Sequence, residues 1–318
     1  MMVADKTRIG PRLHQDDGFF IRETLLRVEP TVDLYIREKW LEGEQVSEKL
    51  PVILLHGAGM DGAGFDVPVG NMSLVDSLAR NGSRTFAIDF RGHGRSSRVA
   101  DGFTVTVETS VADTVAALDY VQEVTGASHV VLVGVSYGTI VASAVAERYP
   151  GRIAGIVLLG LLYSTVGVSL DDMLAEASQA PAGYAFTTEE EWPELFIPTA
   201  LPEVIAWHQA QFGTAYAYPV GPYFEVGRLP HAINLERFQG RVLIVTGDLD
   251  PFATELDVAA FLRAVGTEKS HTHHLCLTGI GHMPYVEAAA QEVQQAINEF
   301  VNASTGDIAH VEDVAEVQ

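Results

Sequence analysis

Ser136, Asp250 and His282 are the residues whose types and surroundings could together do chemistry. Ser136 stands in Gly134-Val135-Ser136-Tyr137-Gly138. An apolar, β-branched run at residues 129–133 precedes it, and Ile140, Val141, Ala144 and Val145 follow at helical spacing. The pattern predicts a strand, a sharp turn and a helix. It puts the serine at a cramped position, its hydroxyl held clear of the sheet beside the positive end of the helix. A serine hydroxyl is a poor nucleophile at neutral pH, so it needs a base and an acid that orients the base. Residues 241–246 read as a buried strand running into Gly247-Asp248-Leu249-Asp250-Pro251. Residues 274–277 read as another strand, followed by the turn Gly279-Ile280-Gly281-His282-Met283-Pro284. His282 is expected to take the Ser136 proton, and Asp250 to hold the imidazole in the right tautomer. Asp248 rivals Asp250 for that part, and Asp250 also reads as a helix N-cap ahead of Phe252.

Attack on a carbonyl carbon develops negative charge on its oxygen, which needs preorganised donors. The backbone N–H of Tyr137, at the head of the elbow helix, is expected to be one. The other is expected from Ala58, in the small-residue loop His56-Gly57-Ala58-Gly59-Met60 after the strand at residues 52–55. His56 and Gly57 of that loop are candidate pocket residues, together with Tyr163, Trp192 and Trp207 of a later aromatic-rich segment.

These segments, with Asp89-Phe90-Arg91-Gly92-His93-Gly94-Arg95-Ser96, span residues ~50 to ~300 in an order that resembles the α/β-hydrolase fold superfamily, specifically its lid-bearing serine esterase and C–C hydrolase group. The resemblance implies a mostly parallel, eight-stranded α/β sheet flanked by helices, with a helical lid inserted after the sixth strand. The core then occupies residues 1–160 and 237–301, the lid 161–236, and an acidic tail 302–318. Asp89, Arg91 and His93 read as hydrogen-bonding a glycine turn. The family elbow often reads Gly-His-Ser-Met-Gly-Gly; here Val135, Tyr137 and Thr139 depart from it, a change expected to bear on pocket shape. Epoxide hydrolases and haloalkane dehalogenases of this superfamily carry an aspartate as nucleophile, so Ser136 disfavours those chemistries.

The elements that must position these residues can be placed coarsely. Residues 21–28 and 32–40 read as two antiparallel opening strands, and helices at 72–80 and 111–124 alternate with the central strands. The sixth strand lies at 152–159, the final helix at 287–301, and the tail beyond it is expected to be loosely held. Within the lid segment, Glu189-Glu190-Glu191 reads as a solvated helix start.

The chain has 318 residues, 47% of them hydrophobic, and a formal charge of −22. A field this negative disfavours nucleic acid and anionic membranes as partners. Cys276, the single cysteine, excludes an internal disulfide and is expected to pack in a core strand. Residues 1–6 lack the apolar core of a signal peptide, and the charge-free run 153–168 is short for a membrane span, so a cytoplasmic location is expected. There is no phosphate-loop or dinucleotide fingerprint, and His271, His273 and His274 read as a strand-edge cluster, so neither cofactor nor metal is expected. The expected partner is a small, moderately apolar, ester-like molecule; the oligomeric state is open. The expected function is a serine hydrolase that cleaves a carboxylic ester or related acyl bond through an acyl-enzyme. A thioesterase, a lactonase and a C–C bond hydrolase are alternatives on the same triad. A ligand-binding receptor on the same fold is the alternative from another class.

Overall fold

A computed structural model describes residues 8–16, 18–41, 49–186 and 192–316. Three antiparallel strands open the chain: β1 (Arg8–Asp16), β2 (Phe19–Glu29) and β3 (Val32–Leu41). Then β4 (Val52–Leu55), helix α1 (Leu74–Arg80), β5 (Thr85–Ile88), α2 (Val107–Thr125), β6 (Val130–Val135), α3 (Tyr137–Arg148) and β7 (Ile153–Leu159) alternate. An insertion follows, made of α4 (Asp171–Ala177), β8 (Tyr184–Phe186), α5 (Trp192–Phe196), α6 (Pro202–Phe212), β9 (Ala217–Pro219) and α7 (Gly221–Val226). The chain closes with β10 (Arg241–Gly247), α8 (Glu255–Ala264), β11 (Thr272–Leu277) and α9 (Ala290–Glu316).

Nine strands of the described residues form one sheet, in the order β1-β2-β3-β5-β4-β6-β7-β10-β11. From β5 to β11 all neighbours are parallel. Parallel strands covered on both faces need apolar residues at every position, and β4, β5 and β6 are buried throughout. Alternate side chains feed two layers. Leu132 and Ile53 pack with Leu118, Ile140 and Phe261 on one face, whereas Val131, Val133 and Leu54 pack with Leu74, Val293 and Ile297 on the other. From β4 the chain steps one way to β5 and then back past β4 to β6. The loops after β4 and β6 therefore diverge at the C-terminal edge, where open α/β sheets form their ligand crevice.

Several expectations change. The sheet has nine strands rather than eight because β1 adds an edge beside β2. Cys276 is exposed, since β11 is the other edge strand and Cys276 is not covered there. The expected loose tail at 302–318 is instead the continuation of α9 through Glu316. Val301 and Ser304 face the core, Arg241 Nε pairs with Asp307 at 2.6 Å, and Leu50 N donates to Thr305 Oγ1 at 3.2 Å. Glu189-Glu190-Glu191 and the Trp192 side chain lie outside the described residues. Among the described residues no helix is long and apolar enough to cross a membrane.

Candidate active site

Ser136 sits between β6 and α3 with φ 53° and ψ −121°, a backbone conformation that costs energy for any residue with a Cβ. Two glycines make the turn possible. A Cβ on Gly134 would run into the Gly138 carbonyl, and one on Gly138 into the Leu55 carbonyl of β4. Ser136 N donates to Leu159 O at 2.9 Å, which ties the elbow to the end of β7.

Asp250 and His282 come from the loops after β10 and β11. His282 Nδ1 and Asp250 Oδ2 are 2.8 Å apart, and both side chains are almost completely buried. The other Asp250 oxygen accepts from Phe252 N at 2.8 Å and Ala253 N at 3.2 Å. The carboxylate therefore caps its own turn with one oxygen and orients the imidazole with the other. The rival, Asp248, is exposed and accepts from Gly279 N at 2.6 Å. Hydrogen bonds from Asp248 N to Leu277 O and from Leu249 N to Ile280 O hold the two loops side by side.

The loop after β4 is oriented by two buried histidines. Phe90 N donates to His56 Nε2 at 3.0 Å, which leaves the proton on Nδ1, and Nδ1 donates to Gly57 O at 2.7 Å. In a trans peptide the carbonyl and the next N–H point opposite ways, so fixing Gly57 O turns the Ala58 N–H away from His56. His93 lies 3.0 Å from Ala58 O through Nε2 and 3.2 Å from Arg91 O through Nδ1; we assign the proton to Nε2, the nearer nitrogen. Burial keeps both rings uncharged: it lowers the His93 pKa to about 4, and burial with the neighbouring His93 holds His56 well below the usual imidazole value. His56 thus takes no place in the pocket wall, whereas Gly57 does. Tyr137 opens α3, so its N–H is one of the four at a helix start that no helical carbonyl reaches. Its ring lies fully buried, 3.0 Å from Ser110 Oγ through its hydroxyl and edge-on to Phe90, so at position 137 the departure from the family elbow does not reach the pocket.

Asp89, Arg91 and His93 hold the turn after β5. Asp89 accepts from Gly62 N at 2.9 Å and Arg95 N at 2.8 Å, and Arg91 forms a two-pronged pair with buried Asp113. Burial pushes the nearby Asp61 carboxyl up to about 6, and burial together with Asp61 raises that of Asp89.

Ser136 and His282 open onto one cavity of about 60 Å³, room for only a few waters. Its floor comes from the core (Gly57, Ala58, Gly59, Val135 and Phe252) and its roof from the insertion (Leu162, Leu170, Met173, Phe196, Tyr223 and Val226). No carboxylate, ammonium or guanidinium lines it. Two of the aromatics expected there point elsewhere. Tyr163 stacks edge-on against Phe261 at 5.1 Å, and Trp207 lines a separate polar crevice of about 490 Å³ with Arg37, Asp61 and Asp89.

Three features of the site were not anticipated from the sequence. Gly160, directly after β7 with φ +59°, lies under the His282 ring. Phe196 packs against His282, while its carbonyl accepts from His282 N at 3.1 Å and Met283 N at 3.2 Å. Glu287, fully buried, accepts from Gly281 N at 2.9 Å, Met283 N at 3.2 Å and Thr199 Oγ1 at 2.8 Å, and its burial raises its pKa. The only sequence signals were a glycine at a strand end and a glutamate just past the histidine turn.

A model described as the alpha/beta hydrolase fold matches residues 51–202. No curated protein matches the chain in sequence. Solved structures do resemble it. A monoacylglycerol lipase from Paleococcus ferrophilus is 18% identical with a TM-score of 0.64, covering 85% of this chain and 99% of its own. A thermophilic esterase from Thermogutta terrifontis is 20% identical with a TM-score of 0.64, covering 94% and 99%. E-2-(acetamidomethylene)succinate hydrolase is 18% identical with a TM-score of 0.65, covering 89% and 99%.

Proposed function

We propose that this chain, which has the α/β-hydrolase fold, is a serine hydrolase cleaving a small, uncharged, moderately apolar ester through an acyl-enzyme. One observation carries the reading: the strained Ser136 elbow and the His282–Asp250 pair open together into an apolar cavity at the C-terminal edge of the sheet. In this mechanism His282 removes the Ser136 proton as the oxygen attacks the ester carbonyl. Asp250, bonded to Nδ1, stabilises the imidazolium that forms. The N–H groups of Ala58 and Tyr137 receive the oxyanion. His282 then protonates the leaving alkoxide, and the alcohol departs. Water, deprotonated by the same imidazole, attacks the acyl-enzyme and releases the acid.

The insertion serves as a lid that keeps bulk water from the reacting carbonyl. The absence of charged side chains from the cavity wall supports a neutral substrate, and the cavity's size supports a short acyl group. A p-nitrophenyl ester series from acetate to palmitate, run on the wild type and on Ser136→Ala, tests the reading. The expected result is an optimum at four carbons or fewer and a loss of at least about 10³-fold in kcat/KM for the variant. Turnover that survives in Ser136→Ala, or a folded wild type that cleaves none of the series, overturns it.

A further inference from the structure

Apart from Ser136 and His282, the side chains lining the cavity are apolar with one exception, Tyr223. Tyr223 belongs to α7, in the insertion, and comes down onto the loop that carries the Ala58 N–H. Its hydroxyl lies so close to Gly59 that a Cβ added there would be 2.5 Å from the oxygen. Any side chain at position 59 would displace it. The ring centroid stands 5.5 Å from that of Tyr218. A phenol hydroxyl carries one proton, which it can donate to an oxygen entering the cavity beside it.

We propose that Tyr223 is a specificity-determining residue that hydrogen-bonds an oxygen of the acyl group, so that the preferred substrates are esters of short acids with an ether, hydroxyl or keto oxygen on the carbon next to the carbonyl. The acyl group is the part assigned to this enclosed space because it stays on Ser136 after the leaving group has departed. The hydroxyl borders Gly59, one residue from the proposed oxyanion donor Ala58, and Tyr223 lines the same cavity as Ser136. Burial holds the Tyr223 pKa well above the usual phenol value, so the group stays protonated and able to donate at any working pH. An acyl oxygen buried in the rest of this wall would find no side-chain donor besides the two reacting groups.

The inference rests on the serine-hydrolase reading, and its test separates the two. The probes are p-nitrophenyl methoxyacetate and p-nitrophenyl butyrate, which differ by one oxygen in place of one methylene. The kcat/KM ratio of the two esters is measured for the wild type, Tyr223→Phe and Tyr218→Phe. Comparing ratios between proteins cancels the greater intrinsic reactivity of the methoxyacetate. The expected result is a kcat/KM ratio of methoxyacetate to butyrate about 5-fold lower in Tyr223→Phe and an unchanged ratio in Tyr218→Phe. A ratio unchanged in Tyr223→Phe, or lowered equally in both variants, means that the ring only packs and overturns the proposal while leaving the serine-hydrolase reading intact. A folded wild type that cleaves neither ester overturns both.

Discussion

Replacing Gly160 by alanine puts a methyl group beneath the base of the proposed triad, and its consequences can be worked out atom by atom. The added carbon would lie 2.6 Å from the His282 carbonyl oxygen, 2.8 Å from Nδ1 and 2.9 Å from Cε1 of its ring. Ordinary contacts of this kind are about 3.3 Å or longer, so His282 has to move by roughly half an ångström. It cannot move alone, because Nδ1 is bonded to Asp250 at 2.8 Å and the backbone N–H to Phe196 O at 3.1 Å. Gly160 also has φ +59°, which costs alanine about 1 kcal/mol, and overpacking adds about 1–3 kcal/mol. The total is a destabilisation of about 3 kcal/mol, several degrees in Tm. A displaced base is more damaging to turnover, by about 10²-fold in kcat/KM. Gly279→Ala is the matched control, since Gly279 has φ +72° but nothing within 4 Å of an added Cβ. It should lose about 1 kcal/mol of stability and keep its activity. Both variants are assayed with p-nitrophenyl butyrate at a temperature where each is folded by circular dichroism. Wild-type kcat/KM in Gly160→Ala, or an equal loss in Gly279→Ala, would refute the steric argument.

Two further predictions concern carboxylates. Asp250→Asn keeps the turn through Oδ1 but presents the wrong group to Nδ1, so kcat should fall about 10³–10⁴-fold in steady-state assays; Asp248→Asn, altering an exposed side chain, should stay within about threefold. Both falling alike would break the assignment of the acid. Asp61 bears on stability: burial raises its pKa from 3.8 to about 6, so between those values the folded state binds a proton that the unfolded state has released. Its contribution to stability therefore declines as pH rises through that window and stays unfavourable above it. Asp61→Asn should accordingly raise Tm by about 3 °C or more above pH 6, with the gain shrinking toward pH 4. A gain independent of pH would refute this account.

The core of the site was legible because it is written in local backbone chemistry. The Ser136 elbow needs glycine at 134 and 138, the Asp250 turn follows a β-branched run and the His282 turn a second strand, so spacing along the chain places them at one sheet edge. What sequence misjudged depends on packing between distant elements. Trp207 and Tyr163 are aromatic residues of the insertion, but the rotation of each element decides which cavity a ring meets. The elbow's departure at Tyr137 was expected to bear on pocket shape, yet as the first residue of α3 Tyr137 turns its ring into the core and leaves its N–H at the site. Cys276 sits in an apolar run, and only its place on an edge strand exposes it. The α9 extension is hard to read from sequence because only Val301 and Ile308, with buried Ser304 between them, mark its inner face among polar residues.

The carbonyl of Phe196 makes the roof and the base a mechanical interlock. Lifting α5 off the cavity breaks two hydrogen bonds to the chain at His282 and Met283 in the same movement. Glu287, which joins Thr199 to the same turn, is pulled with it. On the proposed mechanism, an opening through that side would release the backbone that holds the His282 imidazole aligned. Substrate entry by that route and the proposed chemistry would then be separate phases. Turnover would then depend on how quickly the roof returns as well as on the reactivity of the proposed ester. Solvent viscosity should slow good substrates more than poor ones.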